Sequence, residues 1–484
     1  MANNHIRVRF APAPTGMMHL GNIRTALMNY LFAHKNKGTF VLRIEDTDQQ
    51  RNFDPNAQKI REDLAWLGLI HDEGPGVEGP YSPYFQSQRV AIYQEKQHEL
   101  EKSGAIYRCF CTPEELDKKR QRQEALKIAP RYDRTCLHLS AADIQHQLTQ
   151  QTPFIWRVKL DHGHTIKVHD LAHGITTFEL KNFSDFPITR QDGSFTFLFA
   201  NFVDDLTMKM THVFRGEDHK SNTAGQVALY EICNTKPPLF WHLPILCNID
   251  GKKLSKRDFG FSMRDLKDAG FLPQALCNYL GIIGGSYAQE IMSLEELAHS
   301  INLETPAVTG QIKYDIEKLK WLNHKWISRL NPTELALACR PFLIQAYPTI
   351  ENMDDASLGQ LLTHIQTDLV TLTDSIAAVR FFFEAPTITD ADISAAIAQP
   401  NRQQVATIVG EHLAIIEHAK EYVDRVKHDA QKQGLSMKEF FYFLRLALMG
   451  ATHGPAIHVL IEMLGHQEAH KRLTAALHLL SSIK

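Results

Sequence analysis

Apolar and polar residues alternate over Ile6-Arg7-Val8-Arg9-Phe10, and the spacing predicts a β-strand. A Pro- and Gly-rich loop, Ala11-Pro12-Ala13-Pro14-Thr15-Gly16, follows. Leu20, Ile23, Leu27, Tyr30 and Leu31 then recur at helical spacing, Thr39–Ile44 reads as a second strand, and a further helix is expected near Pro55. Strand, helix, strand in this order is a parallel α/β unit with a right-handed crossover. Between about Ile106 and Arg190 the character changes to a Cys/His cluster, a basic helix and β-like pieces such as Phe154–Val158, which reads as an insertion. The α/β pattern resumes with strands at Thr211–Arg215 and Pro244–Leu246 around a helix near Ser221–Cys233. Beyond about Trp321 strand signals nearly vanish, and Phe440–Met449, apolar nearly all round, predicts a buried helix. The pattern is that of a multidomain α/β plus all-α chain.

Composition narrows this further. The 484 residues predict two to four domains. With 44% hydrophobic and 22% charged residues, disorder, collagen and coiled coil are excluded as the main description. No apolar run approaches the ~18–20 residues of a membrane span, and the N-terminus lacks a signal-peptide layout. Seven cysteines, an odd number without a secretory signal, point to a reducing cytoplasm. A net charge of −3 leaves a nucleic-acid partner open, because only local patches decide that. One such patch, residues 117–134, carries seven Lys/Arg against three Asp/Glu.

Two separated stretches carry the candidate chemistry. Pro14-Thr15-Gly16-Met17-Met18-His19-Leu20-Gly21-Asn22 joins a strand to a helix, where N–H groups and the positive helix end favour anions. An ordinary turn with a helix-capping histidine fits the same residues, and the segment lacks both G-x-G-x-x-G and G-K-[ST]. Far downstream, Gly251-Lys252-Lys253-Leu254-Ser255-Lys256-Arg257 gathers four cations around a serine, suited to charge developing on transferring phosphates. Cys109-Phe110-Cys111 and Cys136-Leu137-His138 form two pairs of soft ligands that could complete a tetrahedral metal site. The C-x-C and C-x-H spacings are tighter than the usual C-x₂₋₄-C, and strand cysteines with a surface imidazole are the alternative reading.

Together the two stretches resemble the paired signatures of class I aminoacyl-tRNA synthetases. The finer match is to bacterial glutamyl-tRNA synthetases. It runs through Val41–Asp48 (V-L-R-I-E-D-T-D), Phe214–His219 (F-R-G-E-D-H), Leu272–Gly281 (L-P-Q-A-L-C-N-Y-L-G) and Lys318–Asn323 (K-L-K-W-L-N). The resemblance implies a Rossmann-like parallel-sheet catalytic domain in two halves, 1–105 and 191–248. An inserted acceptor-binding and zinc domain at 106–190 would separate them. A signature-loop and stem-contact region at 249–322 and an all-α anticodon-binding domain at 323–484 would follow.

It implies a monomeric cytoplasmic ligase that activates L-glutamate with ATP and Mg²⁺, then transfers it to the terminal adenosine of tRNA(Glu). Transfer to tRNA(Gln) as well, a glutaminyl-tRNA synthetase, and a silent tRNA-binding paralogue are the alternatives. Residue by residue, His19, Gly21, Lys253, Lys256 and Arg257 would serve catalysis. Pro12, Thr15, Gly16 and Asn22, with His19, Gly21 and Lys256, would hold ATP. Arg9, Ala11, Glu45, Phe197, Asn201 and Arg215 would hold glutamate: arginines for carboxylates, Glu45 for the ammonium. Cys109, Cys111, Cys136 and His138 would bind one structural zinc, with Tyr132 or water able to replace His138. Lys118, Lys119, Arg120, Arg122, Arg131 and Arg134 would meet RNA phosphates. The chain departs from the family pattern at Ala13 and Phe197, where serine and tyrosine are usual.

Overall fold

β1 (Arg7–Phe10) runs parallel to β2 (Thr39–Leu42), with Val8 opposite Phe40, and α1 (Leu20–Lys35) makes the crossover. All four residues of β1 are buried, arginines included: Arg7 pairs with Glu73 at 2.7 Å and Arg9 with Asp205 at 3.0 Å. Alternation in Arg-Val-Arg-Phe therefore separates two buried faces, as in sheets covered on both sides. The computed structural model describes residues 5–48, 52–255, 257–301 and 310–482, so Lys256 lies outside the described residues. The chain divides into two compact units, Met1–Leu266 with Pro273–Leu319, and Lys267–Leu272 with Lys320–Lys484.

In the first unit, α2 (Gln58–Trp66) begins just past Pro55, where the Asp54 carboxylate accepts the N–H groups of Gln58 and Ile60. After α3 (Val90–Lys102), β3 (Ile106–Cys109) pairs antiparallel with β4 (Ile155–Val158). Between them lie α4 (Pro113–Ala125) and α5 (Ala141–Thr149), each opened by a capping box, Thr112 with Glu115 and Ser140 with Asp143. β5 (Thr165–Asp170) and β6 (Gly174–Glu179) form a hairpin. Then come α6 (Phe197–Thr207), β7 (His212–Gly216), α7 (Lys220–Ile232) and β8 (Leu239–Leu243). β7 and β8 are parallel, and Asp170 at the end of β5 pairs with Phe240, giving the order β6-β5-β8-β7. The Thr211 N–H donates to the Arg7 carbonyl at 3.0 Å, which sets β1 beside the start of β7.

The strand expected over Pro244–Leu246 is broken. β8 ends at Leu243 because Pro244 has no N–H to donate, and its carbonyl accepts from Arg24 Nη1 at 3.2 Å. The Ile245 N–H turns to Glu217 Oε1, and only β9 (Leu246–Cys247) resumes the pairing, parallel to Ile312–Lys313.

α6 carries two adjacent acids into the core. Asp204 is fully buried and accepts from Arg89 Nε at 2.6 Å, Gln86 Nε2 at 2.9 Å and the Tyr93 hydroxyl at 2.9 Å. Asp205 takes Arg9 and Arg43, the latter at 2.7 Å.

The second unit is helical throughout its described residues beyond Trp321. Its core gathers Phe440, Phe443, Leu444 and Leu448 from Met437–Met449 with Leu460, Leu473 and Val409. That helix is amphipathic rather than apolar all round, since Arg445 on its other side donates to the Pro455 carbonyl at 3.1 Å. Among the described residues no helix is long and apolar enough to cross a membrane.

Replacing Asp204 by alanine would leave the buried guanidinium of Arg89 without its acid. We expect Asp204→Ala to destabilise the first unit by about 3–5 kcal/mol, read as an earlier urea transition of that unit in the intact chain.

Candidate active site

A cavity of about 560 Å³ is lined from the C-terminal ends of β1, β7 and β8 and from the start of α1. Ligands of open α/β sheets bind at such strand ends. Its lining includes Arg9, Ala11, Pro12, Thr15, His19, Gly21, Asn22, Glu45, Phe197, Asn201, Arg215 and Lys253. Gly16 and the exposed Arg257 are outside that lining.

His19 is both cap and lining residue, so the two readings of this loop coincide. Its Nδ1 accepts the N–H groups of Gly21 and Asn22 at 3.1 and 3.3 Å, and Asn22 Oδ1 returns a bond to the His19 N–H. The helix-end N–H groups expected to meet an anion are thus taken by the histidine itself. Burial, then the charge of Lys253, lowers the His19 pKa, with Asp218 opposing. A neutral ring that accepts at Nδ1 carries its proton on Nε2. Gly21 serves this packing directly, because a Cβ there would stand 3.0 Å from His19 Cε1.

The first signature stretch meets, through backbone, the segment that directly follows the lysine-rich one. His19 bridges Ser262, the Leu20 N–H donates to the Phe261 carbonyl at 3.1 Å, and the Phe261 ring stacks on His19 at 5.2 Å. The lysine loop before them is closed by Asp258, which accepts both the N–H and hydroxyl of Ser255. Lys253 reaches Asp218 Oδ2 at 3.1 Å, with both side chains about half exposed.

Along the cavity and beneath it, buried charge is arranged with cations in excess: Arg24, in the same lining, donates to the Pro244 carbonyl and has no acid beside it among the described residues. Arg43 bonds Asp205 and lies 3.4 Å from Glu45; burial weighs against its charge, but Asp205, Asp204 and Glu45 outweigh it and raise its pKa. Burial pushes Glu45 up to about 7 against the pull of Arg43 and Arg9. Glu45 accepts from Asn201 Nδ2, and Asn201 Oδ1 accepts from Gln226 Nε2 at 3.0 Å. Arg215 has no acid: Nη2 donates to Thr223 Oγ1 and Gln226 Oε1, while buried Nε and Nη1 meet no hydrogen-bond partner among the described residues. Burial and then Arg9 pull its pKa down to about 9, so the site calls for an anion. The Phe197 ring lies 5.7 Å from that of His219, and Ala13 adds its methyl to the lining. Thr223, Gln226 and His219 escaped the sequence reading, although His219 lies within the F-R-G-E-D-H segment.

Residues 5–321 match the family model described as tRNA synthetases class I (E and Q), catalytic domain, and residues 334–477 match an anticodon binding domain. The chain belongs to the class I tRNA synthetases. Similar proteins include glutamate–tRNA ligases of Geobacillus thermodenitrificans, 35% identical with 99% of both chains covered, and Anaeromyxobacter dehalogenans, 36% identical with 97% and 98% covered. A crystal structure of a glutamate–tRNA ligase from Elizabethkingia meningosepticum, in complex with its amino acid, superposes with a TM-score of 0.87. It is 32% identical, with 98% of this chain and 99% of the other covered.

In this class I synthetase the thiols of Cys109, Cys111 and Cys136 lie within 4.8 Å of one another, a group that could hold a metal ion. Exposed His138 is not part of it. The Tyr132 hydroxyl sits there instead, 3.3 Å from Cys109 Sγ and 3.8 Å from Cys111 Sγ. Several basic residues expected to face RNA also make intramolecular contacts, most of them at the surface. Lys119 pairs with Asp133 at 2.9 Å, Arg120 with Glu124 at 3.0 Å and Arg134 with the buried Asp185 at 2.8 Å, while Arg131 donates to the Lys181 carbonyl. Lys118 and Arg122 are exposed on α4.

Three clustered thiols suit a thiophilic ion. Protein purified without chelator is expected to carry about one such ion per chain by elemental analysis, and Cys111→Ser to lower that content severalfold.

Proposed function

We propose that this synthetase is a glutamate–tRNA ligase, activating L-glutamate with ATP and passing it to the 3′-terminal adenosine of tRNA(Glu) during translation. The observation that carries this reading is the charge pattern of the cavity. Arg215 offers free buried donors, and Glu45 is a carboxylate under strain of burial. Glutamate brings two carboxylates and one ammonium, the complement of that pattern. Full-length similarity to glutamate–tRNA ligases supports the same reading.

Arg215 and Arg9 would take the carboxylates, and Glu45, oriented by Asn201, the ammonium. ATP would enter as its Mg²⁺ complex along Pro12, Thr15, Gly16, His19, Gly21 and Asn22. A glutamate carboxylate oxygen attacks the α-phosphorus, the bond to pyrophosphate breaks, and no protein nucleophile is required. His19, neutral with its proton on Nε2, donates to the phosphate oxygens. Lys253, Lys256 and Arg257 would supply positive charge as pyrophosphate leaves. The ribose hydroxyl of the terminal adenosine then attacks the mixed anhydride, and AMP departs.

In this scheme 106–190 binds the acceptor end, 249–322 contacts the stem and 323–484 reads the anticodon. The thiol cluster would hold zinc as a structural ion, with Tyr132 nearer than His138 to the fourth place. Zinc there would lock the loop that joins β3 to α4 and need supply no chemistry to the reaction.

The deciding assay is ATP–pyrophosphate exchange with tRNA present. It should depend on glutamate and not on glutamine, and purified tRNA(Glu) should be charged. Absence of glutamate-dependent exchange in folded, full-length protein would overturn the proposal. The pKa of Glu45 adds a pH test. Below about pH 7 its carboxylate takes up a proton and loses the ammonium. kcat/KM for glutamate should then fall about ten-fold per pH unit, while Glu45→Gln should flatten that limb.

A further inference from the structure

A buried polar chain leads from the hairpin β5–β6 to Arg215. Asp170, at the end of β5, is fixed by the backbone N–H groups of Ala172 and His173 at 2.8 and 2.9 Å. Its other oxygen meets both the backbone N–H of His242, at 3.2 Å, and the ring Nδ1. His242 Nε2 lies 2.7 Å from the Thr223 hydroxyl, which lies 2.5 Å from Arg215 Nη2. Asp170, His242 and Thr223 are all at least nine-tenths buried.

The protons along this chain can be assigned. An ionised carboxylate only accepts, so His242 carries a proton on Nδ1; burial lowers its pKa and favours the neutral ring, which leaves a lone pair at Nε2. The one proton of the Thr223 hydroxyl goes to that lone pair; the alternative acceptor, the His219 carbonyl, is farther at 3.1 Å. The hydroxyl oxygen is left to accept from Arg215. Gln226 Oε1 takes a second bond from the same nitrogen at 2.7 Å. Nη2 has two hydrogens, and both are used. What remains of the guanidinium for a ligand is Nε and Nη1, the two buried nitrogens without a partner among the described residues.

We propose that Asp170, His242 and Thr223 are positioning residues that fix Arg215 for the side-chain carboxylate of the amino acid, and so help select an anion over the neutral amide. This rests on the reading of Arg215 as a carboxylate anchor given above. None of the three needs to touch substrate. Their effect passes through the orientation of one guanidinium, and it therefore belongs to the amino acid and not to ATP.

The test compares full-length Thr223→Val, Thr223→Ser and Asp170→Asn with the parent in ATP–pyrophosphate exchange, with thermal melting alongside. Thr223→Val keeps the shape and removes both hydrogen bonds. It should raise KM for glutamate about ten- to a hundred-fold and shrink the preference for glutamate over glutamine, with KM for ATP within about two-fold. Thr223→Ser should recover most of the loss, and Asp170→Asn should fall between. An unchanged KM for glutamate in Thr223→Val, or equal rises for glutamate and ATP, would overturn the proposal. Should the valine variant not fold, Asp170→Asn decides by the same two readings. Arg215→Lys separates the two claims. If it raises KM for glutamate while the relay variants do not, the relay is wrong; if it leaves KM unmoved, the anchor reading itself is wrong.

Discussion

Two neighbouring carboxylates on one helix turn hold the first unit's interior together. Asp204 and Asp205 are buried side by side on α6, and between them they receive Arg89, Arg43 and Arg9 from three other segments of chain. Ion pairs so deeply buried contribute little net stability, because desolvation offsets much of the attraction. What they provide is geometry: each arginine has one place where its charge is met. β1, the loop after β2, the start of α3 and α6 are thereby set against each other in the interior behind the cavity lining.

Charge bookkeeping across this cluster explains why the cavity suits an anionic ligand. Arg9, Arg43 and Arg89 face Asp204, Asp205 and Glu45, and Arg215 stands beside them with no acid of its own. Arg24, buried in the same lining, has no acid either among the described residues, so an anionic ligand such as glutamate would reduce the excess of positive charge. Glu45 sits at the junction of the two sets, ionisable near neutrality because burial and the attraction of Arg43 and Arg9 pull in opposite directions. Stability and recognition share the same residues here, as expected where a site is built on rigid elements.

Much of this was legible in the sequence, and the remainder was hidden for identifiable reasons. β1, α1 and β2 follow from apolar periodicity, and the lining residues from His19 to Arg215 follow from motif resemblance. Periodicity alone leaves the burial of Arg7 and Arg9 open, since nothing local says that both faces of a strand are covered. The strand at Pro244–Leu246 failed on one missing N–H. Thr223, Gln226, His242 and Asp170 gave no signal because their meaning lies in contacts across the fold: Asp170 and His242 are 72 positions apart. In the basic stretch 117–134, Lys119 and Arg134 also pair with Asp133 and Asp185, partners that charge counting along the sequence does not assign.

The hairpin that supplies Asp170 belongs to the stretch 106–190, the part of the chain that reads most like a detachable insert. Its strand β5 nevertheless pairs with β8 and delivers a carboxylate beneath the histidine of that strand. Grafting this stretch between relatives is therefore not an exchange of a self-contained module. A donor segment with a different residue at the hairpin end would alter the pocket floor from behind, without changing any group that faces the cavity.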